Sequence, residues 1–179
     1  KKFGSDRFDE YRNNIDWMIQ TNNAVGNKVA FYFIPIQTEA NKEDSNDIRS
    51  EKISGLLKLI VDSGHEIGFH PGYNTYKFQE NFQKSANVLK EACLKQGIEI
   101  DKLGGRQHYL RYDVAKTPQL WQANGFIYDS SLSYADRAGF RVGVCYEYSM
   151  YDLITRQKMI FKQRLLIAME STVILKCYE

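Results

Sequence analysis

Apolar positions along the chain alternate between two periods. Residues 5–23 place Phe8, Tyr11, Ile15 and Met18 at spacings of three and four, with Ser5 and Asp6 as capping types ahead and Gly26-Asn27 behind, which predicts a helix. Residues 28–36 form a short aromatic and β-branched run, which predicts a buried strand. The polar stretch 37–50 predicts a loop long enough to carry function. Residues 51–63 put Ile53, Leu56, Leu57, Ile60 and Val61 on one face of a second helix, Gly64 ends it, and residues 65–70 read as a second strand. The cycle repeats with a helix over 77–97, a strand over 102–108, a short helix over 117–124 opened by Pro118, and a strand over 126–128. Residues 130–150 predict loop with short strands, and the apolar runs 165–170 and 172–175 read as strand-like. Alternation of this kind predicts an α/β fold with parallel strands, without linker or internal repeat.

Composition narrows the class. The chain has 179 residues, 43% hydrophobic and 26% charged, which fits one globular domain and argues against global disorder. Its formal net charge is +2, from 24 basic and 22 acidic residues, so there is no electrostatic case for a nucleic-acid partner. No apolar run approaches a membrane span. Cys93, Cys145 and Cys177 are far apart and odd in number, which argues against a disulfide framework or structural zinc site and fits free thiols in a reducing, cytoplasmic setting.

The chain has 3 histidines, and all are predicted at strand ends. His70 stands at a carboxyl end, where parallel α/β sheets collect their active sites. His65 is at the amino end of the same strand, so alternation turns the two to opposite faces. For His65 the ordinary reading is a buried ring bonded to a neighbouring backbone group.

The segment Gly64-His65-Glu66-Ile67-Gly68-Phe69-His70 closely resembles a motif of the polysaccharide deacetylases, the NodB-homology or carbohydrate esterase family 4 enzymes. Gly105-Arg106-Gln107-His108-Tyr109 lies where that family has its arginine-containing motif, and Gly125-Phe126-Ile127-Tyr128-Asp129-Ser130-Ser131-Leu132 resembles the Tyr-Asp-Ser-Ser segment that follows. Three words in this order cover roughly residues 28–140. The variant words are similar to members found with bacterial surface-polysaccharide biosynthesis.

The resemblance implies a distorted (β/α) barrel holding one divalent metal, usually zinc, that activates water against an N-acetyl group of a sugar or polysaccharide. On the matching positions, His70 is the first metal histidine, and Asn74 stands where the family has its second, a weaker donor for zinc. Arg106 matches the arginine that orients the catalytic aspartate. Asp129 is a catalytic candidate from its motif, and equally a turn or cap residue. His108, two residues beyond Arg106 on the predicted strand, is a candidate ligand or substrate contact. Tyr73 and Tyr109, two of 12 tyrosines, are candidate stacking faces for the sugar, with wall packing as the alternative.

Two family elements have no counterpart. No Asp-Asp or Asp-Val-Asp word precedes the first helix, and no histidine follows His108. The expectation is therefore a single, partial catalytic domain over 1–179, the middle of a larger barrel, with the general base, one metal ligand and the general acid outside this chain. The alternatives are a non-catalytic carbohydrate-binding relative and an allantoinase-like hydrolase of a small amide.

Overall fold

In the computed structural model, residues 10–43 and 47–170 are described. The first complete unit shows how the sequence builds the fold. Helix α2 (Glu51–Asp62) starts at Ser50, whose side chain accepts a hydrogen bond from the Ile53 N–H at 3.4 Å. Ile53, Leu56, Leu57 and Ile60 fall on one stripe and are buried. Gly64, at φ +85°, turns the chain in a conformation that L side chains disfavour, and strand β2 (Glu66–Phe69) follows.

The remaining elements are α1 (Glu10–Ala24), β1 (Ala30–Phe33), α3 (Gln79–Lys95), β3 (Gly104–Gly105), α4 (Thr117–Ala123), β4 (Tyr128–Asp129), β5 (Tyr148–Asp152) and β6 (Gln157–Gln163). One six-stranded sheet runs in the order β1-β2-β3-β4-β6-β5, all parallel except the β5–β6 pair. The protein is thus mixed α/β, as predicted, with an open sheet among the described residues. No described helix is long and apolar enough to cross a membrane.

Register sorts the side chains. Phe33, Phe69, Gly105, Asp129 and Gln163 form one row across five strands. This row belongs to the face that packs on the helices. There Phe69 stacks on Phe126 with centroids 4.8 Å apart and meets Phe82 and Trp121 edge-on at 5.2 and 5.5 Å. All four rings are buried, and truncating one such ring to alanine costs about 3–5 kcal/mol. Adjacent residues face the other way. Tyr32 lies across Gly68, and Tyr128 across Gly104, where a Cβ would sit 2.1 Å from the ring in each case. Gly105 points to the helices, and a Cβ there would sit 1.9 Å from the Phe69 carbonyl oxygen and 2.8 Å from Trp121. Strand β3 therefore consists of two glycines because an aromatic ring occupies one of its faces and a neighbouring backbone the other.

Two sequence expectations need correction. The predicted strand 102–108 ends at Gly105, and residues 108–110 form a short 3₁₀ turn instead. The apolar run 165–170 is not a strand: residues 164–169 have no regular structure. The strand lies earlier, at β6, where Met159, Phe161 and Gln163 alternate with exposed Lys158, Ile160 and Lys162. Period-two alternation, not apolar density, specifies a half-buried strand. Expectations for residues 5–9 and 172–175 fall outside the described residues, as does Cys177, while Cys93 is buried and Cys145 exposed.

Candidate active site

The parallel ladder continues one residue past the strands. His70 N–H donates to Phe33 O at 2.9 Å, Arg106 N–H to Phe69 O at 3.0 Å, Ser130 N–H to Gly105 O at 2.9 Å, and Arg164 N–H to Asp129 O at 2.7 Å. His70, Arg106, Ser130 and Arg164 thus form the row at the carboxyl edge, on the face away from the helices. Arg106 Nε donates to Ser130 Oγ at 3.1 Å, and its guanidinium lies 5.2 Å from the Tyr32 ring centre. Among the described residues no carboxylate forms an ion pair with Arg106.

His108 reaches this row by a different route from the one predicted. It does not continue the strand of Arg106. The 3₁₀ turn folds it back over His70, with Tyr109 and Leu110 both left-handed at φ 56° and 53°, a conformation costing a non-glycine residue about 1–2 kcal/mol. Bonds between the two loops hold the turn. His108 N–H donates to Pro71 O at 3.3 Å, Thr75 Oγ1 to Gln107 Oε1 at 3.1 Å, and Arg111 Nη1 to Tyr73 O at 2.7 Å. As a result His70 Nε2 and His108 Nδ1 stand 3.0 Å apart, with the rings nearly perpendicular at 87°.

The outer nitrogen of each ring is bound to backbone. His70 Nδ1 lies 2.6 Å from Arg106 O and His108 Nε2 lies 2.8 Å from Lys42 O. A carbonyl only accepts, so each of these nitrogens carries the hydrogen. Burial pushes the His70 pKa down to about 4, with the Arg106 carbonyl opposing and the charges of His108 and Arg106 adding to the fall, so the ring is neutral at neutral pH.

Loop 37–43, part of the polar stretch long enough to carry function, supplies a residue that the pattern does not single out. Glu43 is 4% exposed, and its carboxylate accepts from Thr38 N–H at 2.5 Å, Thr38 Oγ1 at 2.8 Å, Glu39 N–H at 3.4 Å and Tyr73 N–H. It fastens this loop to the one after His70, which holds the Lys42 carbonyl over His108. Asn74 serves the same junction: its amide donates to Thr38 O at 3.2 Å and Glu39 Oε2 at 3.5 Å, and its oxygen accepts from Arg111 at 3.4 Å.

Tyr109 stands beside His108, with ring centroids 4.7 Å apart, and meets Tyr73 edge to face at 5.5 Å; Tyr109 is 61% exposed. The Arg111 guanidinium backs Tyr73 at 3.8 Å. Asp129 sits one row below His70 and Arg106. It is fully buried, and it accepts from Ser131 N–H at 2.9 Å and from the Ser131 hydroxyl, which is the turn arrangement the sequence also allows. Burial raises its pKa to about 6 against the opposing bonds from Ser131. His65 behaves as the ordinary buried ring, with Nδ1 accepting from Val29 N–H at 3.3 Å.

Among the described residues no group of three or more His, Cys, Asp or Glu side chains is placed to hold a metal ion. The pair formed by His70 and His108 supplies two convergent imidazole nitrogens, a donor type suited to zinc, and so fits part of a ligand set. A cavity of about 370 Å³ lies at the opposite, amino-terminal edge of the sheet, lined by Lys28, His65, Glu66, Glu99 and Lys102. Its lysines are paired, Lys28 with Glu66 at 3.4 Å and Lys102 with Glu99 at 2.9 Å, so it offers no uncompensated charge, and the chemistry stays at the carboxyl edge. No family model, no curated protein and no solved structure matches this chain.

Proposed function

We propose that the protein is a metal-dependent hydrolase that removes N-acetyl groups from a sugar or polysaccharide, at the carboxyl edge of β2, β3 and β4. The observation that carries this reading is the convergence of His70, His108 and Arg106 on the helix-free face of the sheet, at the strand ends where α/β enzymes place their chemistry. The resemblance to polysaccharide deacetylases adds the substrate class. The finer fold reading, a distorted barrel, draws support from the division of the sheet into a helix-covered face and a polar one carrying Tyr32, Tyr128, His70 and Arg106.

Five residues of the site have a role in this reading. A divalent ion, zinc by the donor type, would be held through His70 and would polarise the acetyl carbonyl and acidify a water. His70 binds as a neutral ring aimed by the Arg106 carbonyl. Arg106 presents a guanidinium free of carboxylate partners among the described residues, available to an oxyanion or to a carboxylate base. Tyr73 and Tyr109 offer ring faces to a pyranose. Asp129 supports the floor through Ser131. The general base and general acid are assigned to no described residue.

The test is acetate release from N-acetylglucosamine oligosaccharides by the zinc-supplemented, full-length protein. Expected is turnover that falls more than about 100-fold in His70→Ala. Absence of acetate release across a panel of N-acetylated saccharides, or a His70→Ala protein with full activity and full metal content, sinks the reading. Asn74 at the family's second histidine position favours one other reading, a non-catalytic carbohydrate-binding protein. Sugar binding without bound metal would establish that reading instead.

A further inference from the structure

The two histidines of the site carry more information than their proximity. Each outer nitrogen must donate to a carbonyl, His70 Nδ1 to Arg106 O at 2.6 Å and His108 Nε2 to Lys42 O at 2.8 Å. A neutral imidazole has one N–H. With both rings neutral the inner nitrogens are bare, and they face each other across 3.0 Å. Two lone pairs at hydrogen-bond distance with no hydrogen between them repel, so this arrangement calls for a positive centre at the gap. A neutral imidazole whose far nitrogen donates to a carbonyl is the form in which histidine binds metals.

We propose that His70 Nε2 and His108 Nδ1 together ligate one divalent cation of the zinc class, and that Asn74 lies outside its ligand set. The proposal deepens the metal-dependent reading above and rests on it only for the class of cation.

The spacing fits. Nitrogens bound to zinc at about 2.0–2.1 Å lie about 2.9 Å apart at a right angle and about 3.3 Å apart at a tetrahedral one. The observed separation falls between these limits. Asn74 does not share this geometry. Its oxygen faces the Arg111 guanidinium at 3.4 Å, and its amide nitrogen points to Thr38 and Glu39. A cation approaching that oxygen would meet a fixed positive charge. Two nitrogens leave coordination positions for water and substrate, as catalytic sites require and closed structural sites do not. The left-handed turn at Tyr109 and Leu110 gains a purpose, because a continued strand would carry His108 away from His70.

The full-length protein, labelled with 15N-histidine, tests this directly with 113Cd as probe. Without metal, His70 is expected as the Nδ1–H tautomer and His108 as the Nε2–H tautomer. With cadmium, one-bond cadmium–nitrogen coupling is expected at His70 Nε2 and His108 Nδ1, and at neither nitrogen of His65. In zinc titrations, His108→Ala and His70→Ala should each weaken binding about 100-fold or more, while Asn74→Ala stays within about threefold. Coupling at His70 without His108 overturns the proposal. So does a loss in Asn74→Ala as large as in His108→Ala, or a protein that takes up neither metal and shares a proton between the rings. The functional reading fails separately. A cation held by both histidines with no acetate released sinks the deacetylase and leaves this pair standing, whereas acetate release with the cation away from His108 does the reverse.

Discussion

Replacing Glu43 by glutamine tests whether a buried carboxylate, distant in sequence, assembles the site. The substitution keeps the shape and removes the charge. In the native loop both carboxylate oxygens only accept, one from Thr38 N–H at 2.5 Å and Glu39 N–H at 3.4 Å, the other from Thr38 Oγ1 at 2.8 Å and Tyr73 N–H. A glutamine must turn its NH2 toward one of these sets, so donor meets donor whichever way it is placed. The cost is a lost charge-assisted bond plus a buried amide N–H without an acceptor, together about 2 kcal/mol. With a urea m-value of about 2 kcal/mol/M, the unfolding midpoint should fall by about 1 M. Hydrogen exchange should speed up at the Tyr73 and Thr38 amides before it does in α3. A midpoint within about 0.2 M of the parent, with unchanged exchange at both amides, would refute the reasoning.

Two further outcomes follow from the core. Gly105→Ala should cost about 3 kcal/mol or more, because the new Cβ lies 1.9 Å from a backbone oxygen that cannot yield without parting β2 from β3; Gly26→Ala, with φ +71° and open space around it, should cost only about 1 kcal/mol, and equal melting losses would remove the distinction. Asp129 holds its proton more tightly folded, to about pH 6, than in an unfolded chain, so its contribution is fully present below about pH 4 and is lost as pH rises through 6. The stability of the parent relative to Asp129→Asn should therefore fall across that window, by up to about 3 kcal/mol, and a difference independent of pH between 4 and 7 would be fatal to this assignment.

The helices were legible because their apolar spacing and their stop signals agree. α2, α3 and α4 begin and end within two residues of the predicted limits. The strands were less legible. Residues 28–36 shrink to Ala30–Phe33, since burial extends beyond the hydrogen-bonded ladder, and β6 is hard to read because Lys158 and Lys162 flank Ile160 on its exposed face while a glutamine, Gln163, ends its buried one. Arg106 stands one residue past β3, inside the span expected as strand, whereas His70 could be placed at a strand end from pattern alone. His108 could not, because its position depends on two consecutive left-handed residues that no period encodes. Glu43 left no signal at all: a carboxylate in a polar loop reads as solvated until Thr38 and Tyr73 close around it.

The tautomers of both site histidines are dictated by carbonyl oxygens of Arg106 and Lys42, not by side chains. Carbonyls belong to every residue, so no point substitution at position 42 or 106 other than a change in chain path can erase them. The protonation pattern is thus buffered against amino-acid replacement and exposed to insertion and deletion. One residue added between Thr38 and Lys42 would shift the oxygen off His108 while leaving every named side chain in place. In a lineage of such proteins, loop length would carry the inheritance of the site more faithfully than residue identity.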